Sequence, residues 1–541
     1  MTTYLIAISI GPVQEFILAG RRTGDLYAGS LLISEVAKAA AAKLAALEPN
    51  CLIFPASADE CAANKILAEV AGDPAEAAKA AEAAARACLR RPWDDALGKL
   101  TAEQRAVIDD RIWDPQINSF LEFFAAWRRR TADYAADRKA VEQLLAGRKA
   151  LRDFRQPQKH NVSKSPLDPS RDSVVKALSA KRTGTDRAGR ERETWMPDAV
   201  EARPLRLKPS EWLDAVSLLK RVRGSSMSVP STADIAAKTF LEDEKGRAGA
   251  PDYAGLLEGV PQGAIFEGRR DELLEDGDLE DRQHAEIATA MRGREPNPYF
   301  AILQADGDRI GEAIGRLSSA DGHRVFSSKL QRFATDATRI VGAHGGHLVY
   351  SGGDDVLAFL PLHTSIACAR KLAGAFEATG ATLSVGLAVV HYHEPLYASL
   401  AAARDAEGAA KEAGGNCLHV AVHTRGGEAR RATAAWKDPG DLARWEAWIR
   451  AFQGGRAAGF PYEVERLARE VERADLPPDV IREEVKRIFE RKKKEKGAGA
   501  EIAAPLEAVT SFEMLHRLAE ELIVFRWMAS QANSWQWGTA K

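Results

Sequence analysis

The first apolar run, Tyr4 to Ile10 (YLIAISI), is rich in β-branched residues and stops at Gly11 and Pro12. That pattern predicts a buried strand turning into a helix. An alanine-rich helical pattern over about 31–47 and a short strand at 52–55 follow. Residues 73–150 carry helical periodicity rich in Ala, Arg and Glu. Between 152 and 297 the pattern degrades: 155–173 and 182–194 are polar with proline and glycine and predict loops. Residues 242–283 are acidic and glycine-punctuated and predict a solvated linker, while 211–222 reads as a helical piece. Periodicity returns at Tyr299–Gln304, a buried strand, followed by helices at 310–317 and 326–343. Two strands around a tight turn (347–351 and 356–360), a helix at 364–379, a strand at 381–391, a helix at 396–413 and a strand at 417–423 complete this part. Helices flanking an antiparallel sheet in this order predict a ferredoxin-like or palm α+β domain. Beyond about 430 the chain reads as helices throughout, with a basic run at 486–496 as a solvated face. The aromatic tail, Phe525 to Trp537, reads as core or subunit-interface packing.

Composition changes this picture in three ways. A chain of 541 residues exceeds one hydrophobic core, so about two to four domains are expected. The formal net charge of -2 excludes a global basic field, leaving RNA contacts to local patches or partner subunits. The five cysteines (Cys51, Cys61, Cys88, Cys368, Cys417) form no CxxC pair, which argues against a disulfide framework and against a cysteine zinc site. No basic leader precedes the first strand and no stretch reaches the ~18 apolar residues of a membrane span, so a cytoplasmic location is expected.

The chemistry concentrates at residues 350–356 (YSGGDDV), flanked by strands. Gly352 and Gly353 can take the positive φ values of a two-residue hairpin turn, which sets Asp354 and Asp355 side by side at the sheet edge. Adjacent carboxylates repel unless a cation sits between them. A second acidic pair, Asp306 and Asp308 around Gly307, ends the preceding strand. In a palm that strand lies beside the hairpin, so all four carboxylates are expected to converge. Oxygen-only ligands select magnesium or manganese over zinc. Such a site holds two ions roughly 3.5–4 Å apart, one activating an attacking hydroxyl and one stabilising departing pyrophosphate. Lys411, late in the helix before the last strand, reads either as a point charge for a triphosphate or as a solvated helix lysine.

At these residues the sequence resembles the large palm-containing subunit of type III-B CRISPR effector complexes, the Cmr complexes, which are related to GGDEF nucleotide cyclases. The similar strings are Ile10 to Phe16, Arg21 to Thr23, Leu26 to Ser30, Asn64-Lys65, Glu211 to Val216, Lys220-Arg221, Val229 to Ala236, Gln304 to Gly311, Ser351 to Asp355, Ala381 to Gly386, His391, Pro395 and Leu396. The last 110 or so residues are similar only in helical character. The resemblance implies an α+β fold with two ferredoxin-like palm domains, a helical insertion and a helical carboxy-terminal domain. The implied division is 1–150 (a non-catalytic palm), 151–297, 298–428 (the catalytic palm) and 429–541.

By the same resemblance the expected activity converts ATP to a 3′–5′ linked adenylate messenger, a cyclic oligoadenylate or a related AMP conjugate, when target RNA pairs with guide RNA. Asp306, Asp354 and Asp355 are then the expected catalytic residues, and these with Asp308 the ligands of magnesium or manganese. Gly307, Ser351, Gly352, Gly353 and Lys411 are the expected nucleotide contacts, and the partners are the other Cmr subunits and the two RNAs. Two departures from the family stand out. There is no His-Asp dipeptide and no histidine before His160, so nuclease activity is not expected. In the stretch Lys164 to Asp172, Ser165 and Asp168 stand where zinc-knuckle cysteines are expected, so no zinc is expected either. A catalytically silent structural subunit is one alternative, against which the intact carboxylates count. A free-standing diguanylate-type cyclase is another, against which Asp355-Val356 in place of Glu-Phe counts.

Overall fold

The computed structural model describes residues 2–538 apart from 60–63, 152–159, 161, 186–190, 456–458, 475–476, 494–508 and 510. The chain divides into two units: residues 1–229 with 309–335 and 349–354, and residues 230–308 with 336–348 and 355–541. Parts of the expected loop at 155–173 and of the basic run at 486–496 lie outside the described residues, as does Cys61.

In the first unit β1 (Thr3–Gly11), β2 (Leu52–Phe54), β3 (Lys65–Ala71) and β4 (Glu122–Arg129) form a sheet in the order β2-β3-β1-β4. β1 pairs antiparallel with both β3 and β4, which is the ferredoxin-like arrangement. Leu5 to Ile10 are all buried because both faces of β1 are covered. Leu5 and Ala7 pack with Tyr134, Val141 and Leu145 of the helix Tyr134–Ala150. The helices Thr23–Leu47 and Pro74–Gly98 also touch β1. β4 corrects the helical reading of 73–150. Its sequence, EFFAAWRR, looks helical by composition, yet it pairs with β1 from Gly11↔Glu122 to Tyr4↔Arg129. Long-range pairing overrides local propensity here.

The polar stretch 182–194, expected to be loop, contains a hairpin of β5 (Arg182–Thr185) and β6 (Glu191–Thr194). Its strands lack the apolar alternation that marks one in sequence. The stretch Lys164 to Asp172 is tied by side-chain bonds. Ser165 Oγ donates to the buried Asp214 at 2.7 Å, Arg171 donates to Asp168, and Lys164 pairs with Asp172 at 2.6 Å.

The second sheet is built from β7 (Tyr299–Gly307), β8 (His347–Ser351), β9 (Asp355–Pro361), β10 (Leu383–His391), β11 (Cys417–Val422) and β12 (Arg430–Ala435), all in the second unit except residues 349–351 of β8. The six-stranded sheet runs β12-β11-β10-β7-β9-β8. The order β8-β9-β7-β10 repeats that of the first sheet, with β11 added parallel to β10. The fold is thus α+β with two ferredoxin-like sheets. β12 corrects the expectation that only helices follow residue 430: Ala432 and Ala434 alternate with exposed or half-buried residues and pair with β11. The acidic stretch 242–283 is also not a linker. It folds into the helices Tyr253–Leu256 and Glu267–Glu275, with Ile265, Phe266 and Leu273 buried beneath the charged face. The tail packs as expected: Phe525 is buried against Trp445 at a ring distance of 4.6 Å, and the Ser534 N–H donates to Asp243. Among the described residues no helix is long and apolar enough to cross a membrane.

Candidate active site at the end of β7

The carboxylates sit where β7 and β9 end together. Their antiparallel register places Asp306 directly opposite Asp355, and Ser384 of β10 opposite Asp306 on its other side. Facing residues of an antiparallel pair have Cβ atoms roughly 4.5–5.5 Å apart, so two like charges here are destabilising without a cation. A cation is present: the ammonium of Lys411 bonds Asp306 Oδ2, and Glu407, one turn earlier on the helix Leu396–Glu412, pairs with it at 3.0 Å. Burial alone lowers the pKa of Lys411, but the bonds and charges of Asp306 and Glu407 outweigh it and hold the value above the ordinary one.

Asp308 does something else. Its carboxylate accepts from Thr382 Oγ1 at 2.7 Å, Ser384 Oγ at 2.6 Å and the Asn416 N–H at 2.9 Å. The turn that delivers Asn416 passes very close: Gly415 has φ +73°, and a Cβ there would lie 2.8 Å from Asp308 Oδ1. The four carboxylates therefore do not converge on one point, which corrects the expectation from sequence. Among the described residues no three acidic, histidine or cysteine side chains come together in a metal cage. Asp308 is held by hydroxyls and a backbone amide, and its partners Thr382, Ser384 and Asn416 were not among the expected site residues. The strand-end position of Ser384 beside an acidic strand is the one signal in sequence that points to it.

The link between β8 and β9 is three residues long, Gly352, Gly353 and Asp354, and not the expected two. Of the two glycines only Gly353 takes a positive φ, +109°. Asp354 thus lies in the turn while Asp355 opens β9. Ser351 is buried, with its Oγ lacking a hydrogen-bond partner. Gly307 is the last, buried residue of β7. The donor set fits a hard cation: Asp306 and Asp355 offer only oxygen, face one another as like charges, and already draw an ammonium.

These roles separate in stability measurements without metal or nucleotide. Asp308→Ala leaves two hydroxyls and an amide without their acceptor and is expected to cost about 1–3 kcal/mol. Asp355→Ala removes a like charge facing Asp306 and is expected to cost less than Asp308→Ala. Urea unfolding of the two variants reads the difference directly. Equal destabilisation by both would contradict the division of roles.

Residues 299–418 match the family model for the Cas10/Cmr2 second palm domain, and residues 5–116 match the amino-terminal domain of CRISPR-associated protein Cmr2. The CRISPR system Cmr subunit Cmr2 of Pyrococcus furiosus is 33% identical over 143 residues, a match spanning 20% of this chain and 16% of that protein. Two solved type III-B Cmr-beta structures contain similar chains. The apo state matches at TM-score 0.67 and 12% identity, over 98% of this chain and 82% of that chain. The state bound to cognate target RNA matches at 0.63 and 13%, over 93% and 80%. A Csm1–Csm4 cassette in complex with pppApA matches at 0.51 and 12%, over 98% and 69%. At these identities the structural likeness is one of fold.

Proposed function

The chain carries the amino-terminal domain of Cmr2 and the second palm domain of the Cas10/Cmr2 family, and from that premise we propose an RNA-activated nucleotidyltransferase. It joins ATP into 3′–5′ linked adenylates as the large subunit of a cytoplasmic type III-B effector complex, with the other Cmr subunits, guide RNA and target RNA as partners. The observation that carries the reading is the facing pair Asp306 and Asp355 with an ammonium beside it.

Asp306, Asp354 and Asp355 would hold magnesium or manganese ions, which when bound supply activation of a ribose 3′-hydroxyl and charge neutralisation at the departing pyrophosphate. Lys411 would exchange its bond to Asp306 for a triphosphate oxygen, acting as a mobile point charge. Gly352, Gly353 and Gly307 allow close backbone approach, and Ser351 Oγ is an unused donor. Asp308 positions the end of β7 through Thr382 and Ser384.

The division into palm domains at 1–150 and 298–428, with 151–297 between them and 429–541 after them, belongs to the same proposal. The first palm is not catalytic in this reading. At the matching strand-end position β1 and β3 oppose Ser9 and Lys65, a pair that cannot bind a cation as two carboxylates do. The proposal is tested by supplying the assembled complex with target RNA, magnesium and labelled ATP, and identifying products by mass spectrometry. Linked adenylates that depend on target RNA are the expected result. A complex that assembles, binds target RNA and leaves ATP unchanged would instead favour the silent-subunit alternative.

A further inference from the structure

The first unit has a groove that the palm chemistry does not use. It encloses about 760 Å³ between the helices Thr23–Leu47, Pro74–Gly98 and Ala215–Ser225, within the size range of small-ligand sites. Its charged lining is four cations, Lys38, Arg91, Lys99 and Arg223, against two carboxylates, Glu35 and Asp95. Arg223 donates to Glu35 at 2.6 Å through Nη2, while its Nη1 is buried with no hydrogen-bond partner. A buried guanidinium nitrogen left unbonded is costly. The ammonium of Lys99 bonds the Ser226 hydroxyl at 3.1 Å.

The lining also includes the apolar side chains of Ala39, Ala84 and Ala87. Pro92 lies inside the second helix and also lines the groove. It has no N–H, so the carbonyl of Cys88, four residues earlier, lacks its helical donor. The groove thus combines surplus positive charge, apolar side chains and a backbone acceptor.

We propose that this groove binds a nucleotide phosphate, presented either by a free nucleotide or by the terminal phosphate of an oligonucleotide. The phosphate meets Arg223, Arg91 and Lys99, and the base lies against the apolar lining residues. The site shares no residue with the palm carboxylates, so its failure would leave the palm assignment standing.

Cys88 supplies a local readout. It is half-buried in the groove, whereas Cys51, Cys368 and Cys417 are buried. In the full-length protein, alkylation of Cys88 is followed by peptide mass spectrometry at alkaline pH, where the thiolate forms. The probes are AMP, ATP, a short 5′-phosphorylated oligoadenylate and adenosine. At ten times its Kd, a bound ligand should slow labelling about tenfold. Protection by AMP or ATP identifies a free nucleotide; protection by the oligonucleotide alone identifies a strand end. Arg91→Ala with Lys99→Ala, both on exposed side chains, should remove the protection with the melting temperature unchanged. Glu35→Gln frees Arg223 from its competing carboxylate and should strengthen protection. The proposal is overturned if neither AMP, ATP nor the oligonucleotide protects Cys88, if adenosine protects as well as AMP, or if the double variant is protected like the wild type.

Discussion

Replacing Asp354 and Asp355 together by alanine is expected to abolish adenylate synthesis by the target-bound complex while leaving its assembly intact. The pair contributes one side of the clamp proposed to hold the cations, with Asp306 on the facing strand as the other. Loss of preorganised charge stabilisation of this kind costs roughly two to three orders of magnitude per element. Removal of both residues should therefore bring product below detection. Product formed at the wild-type rate by this variant would end the assignment. A variant that fails to assemble would show instead that the two aspartates are structural, and the metal-free unfolding measurement separates that outcome. Lys411→Ala offers a graded comparison, since it removes a phosphate-directed charge without removing a proposed cation ligand.

The palm is legible in the sequence because its central strands are largely apolar and its acidic residues fall at strand ends. β9 and β10 bury nearly every residue and β7 most of its length, so these strands could be placed without the structure. Asp308 shows where that reading stops. Asp306 and Asp308 are two residues apart, and strand alternation alone assigns them one face and one role. What separates them is the turn at Gly414 to Asn416, more than a hundred residues later, whose backbone reaches Asp308. β4 was hidden for a related reason: its partner β1 lies at the other end of the domain, and EFFAAWRR has no alternation strong enough to announce a strand. The hairpin β5–β6 and the helices of the acidic stretch are likewise set by packing that composition does not encode.

The strings that carry the family resemblance outside the palm have a physical explanation of a different kind. Asp25, Glu211 and Arg221 form a buried ion network in the first unit. Arg221 bonds Asp25 through Nε at 3.0 Å and Nη2 at 3.1 Å, and Glu211 through Nη2 at 3.2 Å. Neighbouring Lys220 is buried too, donating to the carbonyls of Phe16 and Ala19 with its ammonium 4.5 Å from the Phe16 ring centroid. Burial pulls the Lys220 pKa down to about 8. Burial also works against the charged Arg221, but Asp25 and Glu211 outweigh it and hold its pKa above the ordinary value. These residues record how the helix Ala215–Ser225 is locked to the start of the chain. They say nothing direct about catalysis.

Arg221→Met is accordingly expected to destabilise the first unit by about 3–5 kcal/mol, the cost of stranding buried carboxylates when one partner of an ion network is removed. That is a large part of the roughly 5–15 kcal/mol that keeps a domain folded. Asp25 and Glu211 are 2% and 3% exposed, so water cannot replace the guanidinium. Removing the charges together, with Arg221→Met, Asp25→Asn and Glu211→Gln combined, should recover much of the loss, because a whole network can be exchanged at little cost where half of it cannot. The pH dependence gives the sign a second check. Burial tends to raise the Glu211 pKa, but Arg221 outweighs it and holds the carboxyl below the ordinary glutamate value of 4.5. A carboxylate depressed in the folded state contributes stability that is complete above pH 4.5 and is lost as pH falls through the folded value. The gap between wild type and Arg221→Met should therefore be widest near neutrality and narrow as the solution is acidified below 4.5. Urea unfolding of the full-length proteins across that range measures it. A gap that stays constant or widens on acidification would show that Arg221 acts through packing rather than through its two carboxylates.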